Sequence, residues 1–437
     1  MASSTSASAD VLIIGAGPAG AATAILLARA GCHVFLADRA RFPRDKPCSE
    51  FISPEGVRVL SRLGVLGALE TGVSEPLHGL TVHASKGSQL SGVFSRAAVK
   101  PWRETGLSVS RTTLDARLVQ AAREAGVEVR EGMRFTGLQG ERMRRETRDA
   151  GRAARRSALD IFRVPRPASR VHSVTGAFFR DDAGHEHRVS ARLTIGADGI
   201  RSRVARELGG TRRGRLRRYA FVTHMRGVRA LAGQAEMFVM ERGYVGINPV
   251  GGGLTNVAVV VPADVARAAR GDAAGFLLAQ CNGHPLVAAR LAGASLATAV
   301  HVTGPFDVRA RRVIADGAAL VGDAADFFDP FTGDGIVSAL RGAELLAEIV
   351  PRSLAEPGIV HQVRLREYRA ARRRAFAGKR TVSRLIAYAM HCPALFDRAV
   401  ARLDRRRGMA HTLIGVTGEF VPARAVLNPA FLGRMVL

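Results

Sequence analysis

Close to its start the chain reads DVLIIGAGPAGAATAILLARAGCHVFLADR over residues 10–39, an order of elements that few folds accommodate. The apolar run at residues 11–14 predicts a parallel strand buried on both faces. It is followed by Gly15, Gly17 and Gly20, whose GxGxxG spacing is typical of a tight turn that opens a helix. The first glycine permits the turn, the second lets a pyrophosphate approach the backbone, and the third allows close contact between helix and strand. Free N–H groups at the start of this helix would then face the phosphates.

An acidic residue ends the second predicted strand of this stretch. Gly31 ends the helix, residues 34–37 form the strand, and Asp38 follows 18 positions after Gly20. A carboxylate at that place can bind ribose hydroxyls, and it disfavours the 2′-phosphate of NADP. The combination predicts an α/β fold that starts with a Rossmann-like domain binding FAD or NAD.

The composition excludes several other classes of protein. The 437 residues include 64 basic and 38 acidic side chains, which gives a net charge of +26. One Trp and four Tyr are too few for a platform that stacks bases, so we expect no nucleic-acid partner. Four cysteines without CxxC spacing argue against a metal site or a disulfide framework and favour a reducing, cytoplasmic location.

The remaining segments predict a second sheet and further helices. Residues 219–261 are rich in β-type residues punctuated by glycine, which predicts three or four antiparallel strands. A helix is expected at 264–280. The arginine-rich stretch 141–170 has few apolar residues and is interpreted as a solvated basic excursion. Residues 1–10 lack both a basic and an apolar region, and they are interpreted as a frayed tail rather than a signal peptide.

We therefore predict three regions: a discontinuous dinucleotide-binding domain, a substrate domain built on a mainly antiparallel sheet, and a C-terminal helical region. Their predicted bounds are 10–75, 105–205 and 300–355 for the first, 76–104 and 206–299 for the second, and 356–437 for the third.

Three motifs in chain order resemble one family of flavoproteins. They are the glycine fingerprint with Asp38-Arg39, the run IGADGIRSRVAR at 195–206, and the run ALVGDAADFFDPFTGDGI at 319–336. The resemblance is to the FAD-dependent group that includes aromatic hydroxylases, flavin halogenases and geranylgeranyl reductases. Within it, PRDKPCSEFISPEG (43–56) is most similar to geranylgeranyl-reductase-like and polyketide-associated members, which usually have Gly where this chain has Ser49.

The resemblance implies that the cofactor is FAD and suggests which residues hold it. The residues implied to bind its ADP half are Gly15, Gly17, Gly20, Asp38 and Arg39. Those implied to reach its pyrophosphate, ribityl chain or flavin are Arg111, Asp198 and Asp323. A loop with Pro330, Gly333 and Gly335 would present backbone N–H groups to the edge of the flavin on which reduction places negative charge.

The electron donor and the catalytic groups are less well defined. No second GxGxxG supplies a nicotinamide domain, which agrees with family members that are reduced by transiently bound NAD(P)H. No nucleophile–base motif appears, so the chemistry belongs to the flavin and no catalytic residue is assigned. Cys48 is interpreted as a small buried hydrophobe.

The motifs leave four functions open. The leading one is an NAD(P)H-dependent monooxygenase that acts on an aromatic or polyketide-like small molecule in secondary metabolism. Reduction of C=C bonds in an isoprenoid or lipid is favoured by Lys46-Pro47-Cys48 and by GYVGINP (243–249), which resembles the reductases' YxWxFP. However, Gly246 and Asn248 replace both bulky aromatics and suggest a wider, more polar wall. Halogenation is weakest because the only Trp, Trp102, does not match that branch. A non-enzymatic flavin-binding protein is a further alternative, and basic helices would allow peripheral membrane contact.

Overall fold

The computed structural model describes residues 5–142, 171–229 and 233–436. Most of the predicted basic excursion, residues 143–170, lies outside the described residues. In chain order the strands are β1 (Thr5–Ile14), β2 (Val34–Ala37), β3 (Phe51–Ile52), β4 (Glu75–Leu77), β5 (Gly79–His83), β6 (Gln89–Val93), β7 (Gly106–Ser108), β8 (Glu128–Arg130), β9 (Arg134–Arg142), β10 (Val171–Arg180), β11 (Glu186–Gly196), β12 (Thr211–Arg213), β13 (Arg218–Arg226), β14 (Gln234–Met240), β15 (Gly243–Gly251), β16 (Leu254–Pro262), β17 (Ser295–Leu296), β18 (His301–Thr303), β19 (Val308–Ala310), β20 (Ile314–Ala315), β21 (Ala318–Leu320) and β22 (Asp326–Phe327).

The helices complete the set of regular elements. They are α1 (Pro18–Arg29), α2 (Pro54–Arg62), α3 (Leu66–Glu70), α4 (Arg111–Glu124), α5 (Arg203–Leu208), α6 (Ala263–Ala266), α7 (Ala273–Asn282), α8 (Pro285–Leu291), α9 (Gly335–Ala347), α10 (Val350–Ser353), α11 (Arg366–Ala389), α12 (Pro393–Arg405), α13 (Arg407–Thr417) and α14 (Pro429–Val436). Within the described residues, none of these helices is long and apolar enough to cross a membrane.

The first sheet is the predicted Rossmann-like sheet, in the order β20-β21-β11-β1-β2-β8. Strand β1 runs parallel to both β2 and β11, and Val11, Leu12 and Ile13 are fully buried. Helices pack on one face of β1, and apolar residues of β9 and β10 pack on the other, so both faces of β1 require apolar residues. The interpretation of residues 1–10 as a frayed tail is wrong for residues 5–10, which pair with β11 as part of β1.

The second sheet has the order β17-β13-β16-β15-β14-β5-β6. It contains four antiparallel strands, β13 to β16, where three or four were predicted within 219–261. Strand β5 adds to β14 in parallel, so residues that lie between β1 and β11 in the chain and residues that follow β11 meet in one sheet. The helix predicted at 264–280 is interrupted. Arg270 and Gly271 have positive φ, of 44° and 92°, and they separate α6 and its short 3₁₀ turn from α7.

Helices pack against both sheets. Helix α1 packs between α4 and α9 beside the first sheet. The C-terminal helices α12 and α13 pack on β6, and α11 bridges them to α9. The apolar core under these helices joins Val82 and Leu90 of the second sheet to Met390, Phe396 and Leu403. This arrangement confirms the predicted fold class, including its C-terminal helical region.

Candidate active site

The glycine turn between β1 and α1 is as tight as its spacing implies. A Cβ atom on Gly20 would lie 1.8 Å from the carbonyl oxygen of Gly15, so only glycine allows α1 to start this close to β1. Gly17 differs, because a Cβ there would meet nothing nearer than the guanidinium ends of Arg44 and Arg111, at 3.7 and 3.8 Å. The backbone of Gly17 therefore faces open space.

Asp38 fixes the far side of this turn. Its Oδ2 accepts a hydrogen bond from the backbone N–H of Ala16 at 2.7 Å, and its Oδ1 accepts one from Ala40 at 2.8 Å. Each oxygen keeps a second lone pair, and the side chain lines the cleft outside the strand ends together with Arg39. The carboxylate therefore holds the turn and also faces a ligand.

This cleft, which we call the nucleotide cleft, has a volume of about 1730 Å³. Its lining includes Gly15, Gly17, Asp38, Arg39, Arg44, Arg134, Asp198, Arg201 and Arg203. Asp198 accepts hydrogen bonds through Oδ2 from the backbone N–H groups of Arg203 (2.6 Å) and Val204 (3.3 Å), and burial raises its pKa. Its Oδ1 is buried and forms no hydrogen bond with the described residues. Arginines around a glycine turn suit a pyrophosphate.

A second cavity, the inner cavity, continues from this cleft between the two sheets and has a volume of about 1130 Å³. Gly17, Lys46 and Gly199 line both, so one ligand can extend from Asp38 to the inner cavity. The inner cavity is lined by the remaining predicted site residues, Arg111, Asp323, Pro330, Gly333 and Gly335. Gly20 is the one predicted site residue that lines neither cavity; it lies under the glycine turn, against the backbone of Gly15. The described residues thus fit FAD, and the binding role of each stays a prediction.

Arg111 begins α4 and is 5% exposed. Its guanidinium forms a bidentate ion pair with Asp115, with distances of 2.9 and 2.7 Å, and Arg44 contacts the same carboxylate at 3.0 Å. Burial raises the pKa of Asp323 across the cavity, although Lys46 and Arg111 act in the opposite direction. One wall of the inner cavity is therefore cationic, and the buried carboxylate of Asp115 holds the side chains of Arg111 and Arg44 in place.

The loop before α9 is anchored by residues that the sequence did not single out. Asp329 accepts hydrogen bonds from Tyr244 Oη at 2.8 Å and from the backbone N–H of Phe331 at 3.0 Å, and Arg218 contacts it at 3.0 Å. Gly333 has a φ of +66°, and a Cβ there would lie 2.9 Å from the Phe51 ring. These contacts present the start of α9 to the inner cavity.

One expectation about the cavity wall holds in part and another is wrong. Cys48 packs against the apolar core, but it is only half-buried and it also lines the inner cavity. The Asn248 side chain donates a hydrogen bond to Ser108 Oγ at 2.8 Å and does not line the cavity. Gly246 does line it, beside the sulfur of Met237. The wall is therefore less polar than the sequence suggested.

A third cavity, the apolar cavity, lies between β5, β6 and the C-terminal helices and has a volume of about 880 Å³. Its lining is aliphatic and aromatic apart from Thr332 and Thr417. Phe331 lines it and packs edge-on against Tyr244, which lines the inner cavity, with ring centroids 5.0 Å apart. The contacting rings of Phe331 and Tyr244 therefore lie between the apolar cavity and the inner cavity.

A cluster of buried polar side chains, Glu50, His224 and Asn256, was also missed. His224 Nε2 lies 2.6 Å from Glu50 Oε2, and Asn256 Nδ2 donates to the same oxygen at 3.0 Å. Glu50 and His224 are 174 positions apart in the chain, so no local pattern connects them. The available signal was one histidine and one asparagine on two mainly buried strands, His224 on β13 and Asn256 on β16.

Comparison with known proteins agrees with this geometry. The chain matches the FAD binding domain family over residues 8–152 and 147–379. It is 29% identical over 396 residues to menaquinone reductase of Mycolicibacterium smegmatis, covering 84% of each chain. It is 29% identical over 357 residues to digeranylgeranylglycerophospholipid reductase 2 of Methanopyrus kandleri, covering 79% of this chain and 78% of the relative.

Solved structures share the fold at lower sequence identity. The flavin-dependent brominase Bmp2 superposes with a TM-score of 0.77 at 20% identity, covering 98% of each chain. A geranylgeranyl bacteriochlorophyll reductase-like protein of Thermoplasma acidophilum gives 0.74 at 19% identity and 99% coverage of each chain. The chain therefore belongs to the FAD binding domain family, in the group of geranylgeranyl-reductase-like proteins and aromatic hydroxylases, and is an FAD-dependent oxidoreductase.

Proposed function

We propose that this protein is an FAD-dependent reductase of C=C bonds in an isoprenoid or lipid substrate, with NAD(P)H as the transient electron donor. The observation that carries this proposal is the apolar cavity of about 880 Å³ beside the inner cavity. The relatives named as reductases of menaquinone and of digeranylgeranylglycerophospholipid support it further. The monooxygenase that the sequence placed first has no comparable support among these relatives.

The apolar cavity has the chemistry that a hydrocarbon chain requires. Leu80, Val82 and Leu90 form its floor, and α11 and α12 contribute Val382 and Val400 to its walls. Burying each CH₂ group of a chain among such residues stabilises the complex by about 0.8 kcal/mol, whereas a small oxygenated ring would leave most of this surface unused. The cavity therefore favours a long apolar substrate.

Bound FAD would supply hydride transfer in the inner cavity. In this proposal Gly17 admits the pyrophosphate, and Arg39, Arg44 and Arg203 neutralise its charge. The N–H groups at the start of α9 would face the flavin edge, where the helix dipole would favour negative charge. The protein thus binds and orients the cofactor, and the apolar lining excludes water from the reacting carbon atoms.

We further propose that the substrate enters from a membrane surface. Leu385, Tyr388 and Leu395 are large apolar residues that are 48%, 54% and 43% exposed on α11 and α12, and Leu385 also lines the apolar cavity. Exposed arginines flank them, among them Arg384 and Arg398. Apolar side chains rimmed by cations suit the surface of a bilayer that contains anionic lipids.

Filling the apolar cavity tests the substrate class. Ala389→Phe places a ring among the lining residues and takes up volume that a long chain would fill. We expect it to lower kcat/KM for a geranylgeranyl substrate about 10-fold, which corresponds to about 1.4 kcal/mol. Turnover of a short dimethylallyl analogue and reduction of bound FAD by NAD(P)H should stay unchanged. The matched control is Ala377→Phe, which adds the same ring on the exposed face of α11. Equal losses for long and short substrates would contradict the proposal.

A further inference from the structure

A small side chamber lies behind the wall of the inner cavity. It is lined by polar side chains of four separate segments: Asp45, Lys46, Cys48, Glu50, Thr223, His224, Asn256, Thr298 and His301. Residues 46–48 and Val222 line both the chamber and the inner cavity, so they form the partition between them. Polar side chains therefore border the proposed reaction site on the side of the chamber, whereas apolar side chains border it on the side of the apolar cavity.

At the inner end of the chamber, Glu50 is held in one position. It is 1% exposed, and its φ of 57° lies in the left-handed region that few non-glycine residues adopt. Its Oε1 accepts the backbone N–H of Arg111 at 2.6 Å, and its Oε2 faces both His224 Nε2 at 2.6 Å and Asn256 Nδ2 at 3.0 Å. A strained, fully bonded carboxylate next to a histidine suggests a function beyond packing.

The chamber can connect this pair with solvent. Asn256 is 1% exposed, and its Oδ1 is buried without a hydrogen bond to the described residues, so an acceptor is available inside the chamber. The chamber has room for about one water molecule. At its outer rim, His301 Nε2 lies 3.0 Å from Asp45 Oδ2, and both side chains are partly exposed. Titratable groups therefore mark both ends of a short polar path.

We propose that Glu50 and His224 form a proton relay that supplies the inner cavity from solvent through the side chamber. This inference rests on the proposed reductase function. Reduction of a C=C bond adds one hydride, which the flavin supplies, to one carbon and one proton to the other. The proton leaves His224 through Glu50 and crosses the partition at Lys46 or Cys48, and solvent returns it to His224 through the chamber. Among the described residues, the apolar cavity offers no ionisable group for such a path, because its lining is apolar apart from Thr332 and Thr417.

The charges around the pair favour a protonated histidine. Burial alone lowers the pKa of His224, but the hydrogen bond and the charge of Glu50 raise it above its ordinary value of 6.5, with a further contribution from Asp45. The other ionisable groups facing the chamber are Lys46, Cys48 and His301. Because the pKa is raised, the relay carries its proton at low pH and loses it as the pH rises through that raised pKa.

Imidazole NMR of the FAD-loaded protein tests the pair without any substrate. We expect His224 to titrate above 6.5, and Glu50→Gln to move its pKa below that of the native protein because burial then acts with less opposition. Glu50→Gln keeps the size and most hydrogen bonds of the side chain, so it should fold. An unchanged pKa in this variant would overturn the coupling of the pair.

Proton uptake during photoreduction of bound FAD, followed with a pH-indicator dye, tests the route. We expect His224→Ala to slow uptake on the order of 10-fold to 100-fold, and added imidazole to restore part of the rate by entering the chamber. Glu50→Gln should slow uptake as well and shift its decline to lower pH. The matched control is His361→Ala, which removes an exposed histidine 3.5 Å from Asp316, and it should behave as the native protein.

Uptake at the native rate in both chamber variants would overturn the relay, whatever the substrate is. Failure of the reductase function is visible separately, as absence of anaerobic alkene turnover in the native protein. The two inferences can therefore fail independently.

Discussion

Gly17→Val is expected to weaken FAD binding severely while the chain still folds. A Cβ at this position meets only the ends of the Arg44 and Arg111 side chains, at 3.7 and 3.8 Å, so the cofactor-free protein can accommodate it. The pyrophosphate, however, must approach this backbone directly, and a valine side chain would occupy its place. We expect the affinity for FAD to fall roughly 100-fold or more, measured by titration of the cofactor-free protein.

Two further glycine variants serve as a control and as a contrast for Gly17→Val. Gly408→Val adds the same side chain at an exposed site with no atoms nearby, and it should purify with native flavin content. Gly20→Val should instead prevent folding, because its Cβ would lie 1.8 Å from the Gly15 carbonyl oxygen. A Gly17→Val protein that retains FAD at native occupancy would show that the glycine turn does not hold the pyrophosphate.

Asp329→Ala is expected to produce the largest loss of stability. Its carboxylate is nearly fully buried and holds Arg218, Tyr244 and the backbone of Phe331. Without it, Arg218, which is 5% exposed, becomes an unpaired buried charge, at a cost of about 3–5 kcal/mol in the free energy of unfolding. Because the same carboxylate positions the loop before α9, FAD affinity should fall as well. Chemical denaturation and FAD titration measure the two effects.

The control for this variant is Asp264→Ala, which removes an exposed ion pair with Arg242 and should leave the denaturation midpoint unchanged. Asp329→Asn retains a side-chain oxygen for Phe331 and should lose less stability than Asp329→Ala. Native stability and native FAD affinity in Asp329→Ala would refute the role given to this ion pair.

Local signals explain why the cofactor side of the molecule could be predicted. The β1 strand, the glycine turn and α1 depend on residues adjacent in sequence, so spacing alone defined Gly15, Gly20 and Asp38 as parts of one turn. The family resemblance extended this to Arg111 and Asp323, which line the inner cavity that continues from the nucleotide cleft.

The substrate side was harder to predict because it depends on contacts distant in sequence. The apolar cavity exists only where α11–α14 meet β5 and β6, and amphipathic helices do not specify the surface that they cover. Asn248 was assigned to the cavity wall because it replaces an aromatic of the reductase motif, but its side chain bonds to Ser108, on a strand far away in the sequence. The same limit hid Glu50, whose partners lie on β13 and β16.

Anaerobic turnover with a geranylgeranyl lipid is the most direct test of reductase function. The FAD-loaded protein would be incubated under nitrogen with NADPH or NADH and the lipid, and the product analysed by mass spectrometry, with a parallel reaction under ¹⁸O₂. A reductase needs no oxygen, because only a hydride and a proton are added to carbon. We predict a product that gains two hydrogen atoms per reduced double bond under nitrogen and contains no ¹⁸O. Turnover that requires O₂ and places ¹⁸O in the product would contradict the reductase and establish the monooxygenase in its place.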